Sequence, residues 1–511
     1  MCVNLYLDSG SHERLQAIAT FHNRIGDTHI KQVTVESNMN FFEPVRDRTK
    51  ALSLVEQTVA AMEQAIRQQV LRPGMAVPSV RQFAKTHGLS TFTVSAAYNR
   101  LVAQGWLTAR PGSGYCVAVP LRPEPAASTP PSWKPPQIGA SWLLSDVFAD
   151  HSIPIKSGCG WLPSEWLNET GLEQALRQAA RVQANQVAGY GHPYGYFPLR
   201  EQIVHELGRH GLALDIDQVL LTQGATQGLD IVVRTLLRPG DVVVVELPCY
   251  ANLLQTLRLA HLTVVGVARN EDGLCIPSLQ AVAQTHAVKA LFLNTVLQNP
   301  TGTSLSMANA FRVLQLAEQH DFWVIEDDVS RDLLPGVGPM LVALAGTDRV
   351  VYVSGFSKSV APSMRVGYIV SSSSLVKGFA QTKMTMGLTT PEIMERTVYQ
   401  VLRLGRHRMH LQRVQERLRQ AHDELVGLMD RHGFEVFSRP RAGLFLWARP
   451  PGRWREQGTA CLAEQALQHG IWLAPGSYFY PDQADLGWLR FNVAYSLHPG
   501  LWQFMRRIGN A

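Results

Sequence analysis

Residues 119–137, VPLRPEPAASTPPSWKPPQ, hold seven prolines and few apolar side chains. Proline fixes its own φ and has no N–H to give, so neither a helix nor a central strand can run through such a stretch. Where extended it spans about 3.1 Å per residue. It therefore reads as a semi-rigid linker, and the chain divides around it into residues 51–118 and 138–511. Residues 1–50 show no sustained period and receive no assignment. A total of 511 residues suits one large domain and one small one.

An apolar share of 46% and a charged share of 17% exclude wholesale disorder. No apolar run approaches the about 18 to 20 residues of a membrane span, and no charged-then-apolar leader opens the chain, so a cytoplasmic protein without membrane contact is expected. Six cysteines, Cys2, Cys116, Cys159, Cys249, Cys275 and Cys461, lie far apart with no Cys-x-x-Cys pair. That spacing argues against a metal site and fits reduced thiols. The net charge of +6 is unevenly spread. Residues 51–118 carry six basic side chains (Arg67, Arg72, Arg81, Lys85, Arg100, Arg110) against two acids (Glu56, Glu63), a balance of +4.

Within this basic module the apolar positions Val55, Val59, Met62, Ile66 and Val70 recur at helical spacing, and Arg72-Pro73-Gly74 ends the pattern. Ser79 and Gln82 form a capping-box pattern for a second helix, with Val80, Phe83, Ala84 and His87 on one face and Gly88 as its stop. Ser90 caps a third, from Thr91 to about Gln104, with Val94, Ala97, Tyr98, Leu101 and Val102 inward. Residues 106–118 read as a hairpin whose tip is Arg110-Pro111-Gly112-Ser113-Gly114. Three such helices form a helix-turn-helix, and the hairpin is a wing. The stretch 77–117 resembles the winged helix-turn-helix of GntR-family regulators. The resemblance implies DNA contacts from Arg81, from Ser90, Thr91 and Thr93 at the third helix's start, and from Arg110 and Gly112 in the wing. The chemistry is suitable: hydroxyls and a helix N-terminus hold phosphates, and arginines add charge or read guanine.

From residue 138 helical and strand patterns alternate, with strand-like runs at 218–222, 241–246, 263–267, 290–293, 322–325 and 350–353. This predicts an α/β domain with a mostly parallel sheet and a ligand site at the strands' C-terminal ends. Residues with chemistry cluster there. Gly224-Ala225-Thr226 open a helix after a strand and offer free N–H groups to an anion. Tyr250 follows the next strand, Asn299-Pro300 sits in a turn, and Glu326-Asp327-Asp328 closes a buried run. In the stretch 353–367, VSGFSKSVAPSMRVG, a strand runs into a Ser/Gly turn bearing Lys358, with Arg365 seven residues later.

SGFSK followed by RVG resembles the pyridoxal-phosphate lysine motif of fold-type I aminotransferases. That resemblance implies a Schiff-base lysine at Lys358 and a phosphate cradle from Gly224, Ala225, Thr226, Ser357 and Arg365. It further implies a ring stack on Tyr250, a phenolic-oxygen contact from Asn299 and a pyridine-nitrogen partner in Asp327. Arg490, in an alternating run 489–492, corresponds to the arginine that takes a substrate carboxylate, and guanidinium suits that contact. Tyr190, in YGHPYGYFPLR, corresponds to the tyrosine that reaches the neighbouring subunit's cofactor, which implies a homodimer.

The expected fold class is thus α/β, a small N-terminal winged helix-turn-helix plus a large PLP-dependent aminotransferase fold-type I domain. This order resembles MocR-type regulators over some 450 residues, a group described as dimeric, often head-to-tail, transcription factors. It implies a double-stranded DNA operator with two half-sites, pyridoxal 5'-phosphate and a small amine or amino-acid effector. Two positions depart from the active-enzyme pattern. Val329 and Ser330 stand where a tyrosine is usual, and Gly355 stands where Ser or Thr is usual, with Ser354 or Ser357 as substitutes. The leading reading is a regulator with little or no turnover. The alternatives are a working aminotransferase carrying a DNA-binding module, and a regulator whose large domain is only a scaffold for the dimer.

Overall fold

The structure, a computed structural model, divides into two compact units, Met1–Trp133 and Lys134–Ala511. It describes residues 52–110, 114–118, 153–181, 188–452, 454 and 458–509. The unassigned stretch 1–50, the expected linker 119–137 and Gly112 lie outside the described residues.

In the first unit, α1 (Leu54–Arg67), α2 (Val80–His87) and α3 (Thr91–Ala103) precede a hairpin of β1 (Leu107–Arg110) and β2 (Gly114–Val117). Helix α1 starts on a complete capping box between Ser53 and Glu56 that sequence reading passed over. It also ends earlier than expected: Gln69 adopts a left-handed φ of 58°, so Val70 lies past the helix and is 41% exposed rather than inward. At α2 the Ser79 oxygen accepts from the Gln82 N–H at 3.3 Å. The reciprocal Gln82 side-chain bond is absent among the described hydrogen bonds, so half of the expected box forms. Gly88, at φ 62°, ends α2 in the left-handed conformation that glycine takes without strain. Met62, Phe83, Val94, Ala97, Tyr98 and Leu101 are buried against one another, while Val102 only packs at the margin. Tyr98 donates to the Pro78 carbonyl at 3.0 Å, which holds α3 against the entry to α2. The hairpin pairs Leu107 with Val117 and Arg110 with Gly114.

In the second unit the main sheet contains β3 (Val219–Thr222), β4 (Val242–Leu247), β5 (Thr263–Asn270), β6 (Gly273–Leu274), β7 (Val288–Asn294), β8 (Trp323–Asp327), β9 (Val350–Gly355) and β10 (Gly367–Val370). The spatial order is β3-β10-β9-β8-β7-β4-β5-β6. Strands β5, β4, β7, β8 and β9 run parallel. Strand β10 is antiparallel to both neighbours, and β6 to β5. Alternate residues feed two separate cores. Leu221, Val244, Leu291, Val324 and Val350 enter one, and Leu220, Val243, Phe292, Ile325 and Val351 the other. A sheet covered on both faces explains why these strands read as continuous apolar runs.

A second sheet, β11 (Glu435–Val436), β12 (Phe445–Arg449), β13 (Ala474–Pro475) and β14 (Leu489–Asn492), has the order β11-β12-β14-β13. The long helix Arg406–Arg431 covers it through Val414, Leu418, Leu425 and Met429, which share a core with Leu446 and Phe491. Strand β14 carries Arg490. Among the described residues no helix is long and apolar enough to cross a membrane.

Candidate functional site

The C-terminal ends of β3, β4, β7, β8 and β9 and one edge of the second sheet enclose a cavity of about 600 Å³. Of the residues expected there, Ala225, Thr226, Tyr250, Asn299, Asp327, Ser357, Lys358, Arg365 and Arg490 line it. Gly224 lies directly behind its wall, against Arg365. Tyr190 does not line it and is 84% exposed.

One end of the cavity is a concentration of donors. The helix Gly224–Leu236 begins here, and its first N–H groups lack intrahelical acceptors. Gly224 adopts φ 78°, and a Cβ there would come within 2.5 Å of the Arg365 guanidinium. A Cβ at Gly367 would meet the Ala225 nitrogen at 2.5 Å. Glycine at both places lets β10 press its backbone onto the turn. Arg365, at a left-handed φ of 51°, lies 3.5 Å from Ser357 Oγ and 3.5 Å from the Gln223 carbonyl. Helix N-terminus, Thr226, Ser357 and Arg365 together make an anion cradle. Gly355 belongs to the same tight packing, since a Cβ there would sit 3.0 Å from the Val366 carbonyl. Ser354 does not substitute for a hydroxyl at that position: its Oγ donates to the Asp328 carbonyl, while of the two serines Ser357 lines the cavity.

The three consecutive acids at the end of β8 have different partners. Glu326 accepts from Thr295 and from the N–H groups of Leu341 and Val342. Asp328 pairs with Arg331. Asp327 lines the cavity, and its Oδ1 has no hydrogen-bond partner among the described residues. Burial raises its pKa to about 7, against hydrogen bonds from Asn294 and the Val329 N–H. Lys358 donates to the Gly160 carbonyl, and burial, then the charge of Arg490, lowers its pKa to about 8.

Arg490 stands opposite the cradle. Its Nη1 donates to Asn299 Oδ1 at 2.8 Å and its Nη2 to the Gly158 carbonyl at 2.6 Å. Its Nε has no partner among the described residues. The guanidinium carbon lies 4.6 Å from the Phe445 ring centroid and 5.0 Å from that of Phe479. Burial pulls its pKa down to about 10. Among the described residues no carboxylate forms an ion pair with it, so a buried cation faces the cavity without a counter-charge.

Sequence reading missed several residues of this site. Asn294 ends β7 and braces the Asp327 carbonyl through its amide at 2.8 Å. Gly158, Gly160 and Trp161 come from a loop distant in sequence. Phe445, Phe479, Trp472 and Tyr478 add aromatic wall. A strand-terminal Asn in an apolar run was a readable signal; the aromatic residues carried none, because they resemble core positions.

In the first unit, Arg81, Ser90, Thr91 and Arg110 are exposed and Thr93 is half-buried. Ser90 Oγ accepts from the Thr93 N–H at 3.0 Å and lies 2.8 Å from Thr93 Oγ1. The two hydroxyls therefore form one polar corner at the start of α3. Phe92, which sequence reading did not single out, projects beside them at 82% exposure.

Residues 164–508 match the family Aminotransferase class I and II. The chain belongs to the aminotransferase class I and II family. Residues 54–117 of this aminotransferase-family chain match the bacterial regulatory protein family gntR, and the two in this order give the MocR-type architecture. The chain is 28% identical over 461 residues to the uncharacterized HTH-type transcriptional regulator YdcR of Escherichia coli, covering 89% of this chain and 98% of that one. It is 30% identical over 367 residues to a 2-aminoadipate transaminase of Thermus thermophilus, 70% of this chain and 90% of the relative. Its aminotransferase domain is similar in structure to the α-aminoadipate aminotransferase LysN of Thermus thermophilus, solved with N-(5'-phosphopyridoxyl)-L-leucine. There the TM-score is 0.64 at 26% identity, over 70% of this chain and 92% of that one.

Proposed function

We propose that this chain is a DNA-binding transcriptional regulator whose aminotransferase-family domain holds pyridoxal 5'-phosphate at Lys358 and senses the cofactor or a small amine or amino acid. The observation that carries the reading is that one chain combines a winged helix-turn-helix with a cavity whose charged groups lack protein counterparts: Asp327 has an unpartnered oxygen and Arg490 an unmatched charge. Near full-length similarity to a protein named as a transcriptional regulator supports it.

The residues present fit the cofactor. The cradle of Ala225, Thr226, Ser357 and Arg365 suits a phosphate, with Gly224 making room for Arg365. The orphaned Asp327 oxygen suits a protonated ring nitrogen. Tyr250 supplies a ring face and Asn299 an amide near the phenolic oxygen. The cofactor, when bound, supplies an electrophilic carbon and an electron-accepting ring. Lys358, its pKa near 8, is the nucleophile that attaches it. Arg490, aimed by Asn299 and Gly158, receives a carboxylate.

Tyr190, exposed in one protomer, reaches the cofactor site of a second copy, so the working form is a homodimer. Two winged helices then meet two half-sites of a double-stranded operator. Arg81, Ser90, Thr91, Thr93, Arg110 and Gly112 make the contacts. The domain divisions follow this use: residues 51–118 bind DNA, 119–137 link, and 138–511 sense and dimerise. Working transamination is the second reading, favoured by the presence of Lys358, Asp327 and Arg490 together; Ser330 in place of a phenol opposes it.

The test is fluorescence anisotropy of the full chain with DNA fragments from upstream of its own gene. The proposal expects sequence-specific, salt-dependent binding that changes when pyridoxal phosphate is added. Non-specific binding alone, with steady multiple turnover of amino and keto acids, would favour the enzyme.

A further inference from the structure

Beyond Arg490 the cavity wall is aromatic. Trp161 and Trp472 lie with ring centroids 5.4 Å apart at 52°, and both line the cavity together with Tyr478. The charged side chains among the described lining residues are Lys358, Arg365, Asp327 and Arg490. If the cofactor takes the first three, Arg490 remains for one carboxylate, and no second cation or anion remains among the described lining residues of this protomer. An effector with a charged side chain would bury that charge without a partner, which is strongly unfavourable. Ser330 and Val329, both at the cavity, also occupy less volume than a tyrosine would.

We propose that the effector is an α-amino acid with an uncharged aromatic or large apolar side chain, its carboxylate on Arg490 and its side chain against Trp161 and Tyr478. This rests on the cofactor reading above and narrows it to a ligand class. Apolar and aromatic surface leaving water against these rings supplies the preference, and the missing second charge supplies the rejection of acidic and basic amino acids.

The experiment uses the full-length protein loaded with pyridoxal phosphate. L-phenylalanine, L-leucine, L-glutamate and L-lysine are titrated in turn by calorimetry, with the visible spectrum recorded in parallel. The expected result is binding of phenylalanine or leucine at least tenfold tighter than glutamate or lysine. Trp161→Ala should reduce this preference to below threefold, and Trp161→Phe should retain it. Equal or tighter binding of glutamate or lysine, or an unchanged preference in Trp161→Ala, overturns the proposal. Failure of the cofactor reading is distinguishable because it comes first: no visible band forms on adding pyridoxal phosphate, before any amino acid is present, and the proposal then falls with it.

Discussion

Arg490 Nη1 donates to Asn299 Oδ1 at 2.8 Å, a bond that joins the smaller sheet, where Arg490 lies on β14, to the loop after β7 of the larger one. A carboxylate drawn to Arg490 is thereby coupled to Asn299, the residue proposed to meet the cofactor's phenolic oxygen. Asn299→Ala removes one of the two acceptors that aim the guanidinium. A hydrogen bond to a charged group contributes about 1.5–3 kcal/mol, so amino-acid affinity should fall about tenfold or more, with a concurrent change in the bound cofactor's visible spectrum. Calorimetry on the loaded protein measures the first and absorbance the second; unchanged values in both would disconnect the two ends of the site.

In the proposed attachment of the cofactor, Lys358 reacts as a neutral amine. With burial and Arg490 holding its pKa at about 8, the rate of cofactor attachment to the cofactor-free protein should rise with pH and level off above about 8. Arg490→Met removes a neighbouring positive charge and should move that profile to higher pH. Stopped-flow absorbance across pH 6 to 10 reads the shift. A profile displaced to lower pH, or one that does not move, would mean Arg490 has no electrostatic hold on the lysine.

Asp327 gives a pH dependence of opposite cause. Its folded pKa of about 7 lies above the ordinary 3.8, so the cofactor-free fold binds this proton more tightly than the unfolded chain does. Its stabilising contribution is complete below about pH 4 and is lost as pH rises through about 7. Asp327→Asn abolishes that titration. Cofactor-free Asp327→Asn should therefore gain on the wild type as pH increases, by roughly 3 kcal/mol between pH 5 and pH 8 at about 1.36 kcal/mol per pKa unit. Urea denaturation at pH 5 and pH 8 tests it, and a constant difference between the two pH values would contradict it.

Arg110 is exposed at the end of β1, and Ser90 is the N-cap of α3. If Arg110 meets a phosphate, Arg110→Ala should weaken DNA binding and reduce the slope of log affinity against log salt by about 0.9. Ser90→Ala should cost about 1 kcal/mol of stability through loss of the cap. Anisotropy at four salt concentrations and thermal unfolding measure the two; an unchanged salt slope removes Arg110 from the phosphate contacts.

The elements easiest to read in the sequence were those whose pattern has one physical cause. Strands β3, β4, β7, β8 and β9 carry continuous apolar runs because both faces are covered, and the residues at their ends, Asp327 and Lys358 among them, stood out against that background. Strand β10 was missed as a strand because Arg365 and Gly367 read as a loop motif, although Gly367 is the residue that lets its backbone approach the cradle. Helix α1 was drawn too long because Val70 keeps the helical spacing after Gln69 has turned the chain. The aromatic wall was illegible for a different reason. Trp161, Tyr478 and Phe445 are distant in sequence, and only the packing of the second sheet against the first brings them beside Lys358.

In the proposed regulator, occupancy of the cavity at Lys358 and the grip of the winged helices on DNA are linked. The affinity of the full-length wild type and of Lys358→Ala for a specific DNA fragment is measured with and without saturating pyridoxal phosphate at fixed salt. The cofactor should change the wild-type affinity several-fold and leave that of Lys358→Ala unchanged. Equal affinities for the wild type with and without cofactor would contradict it, because the cavity would then have no influence on DNA binding.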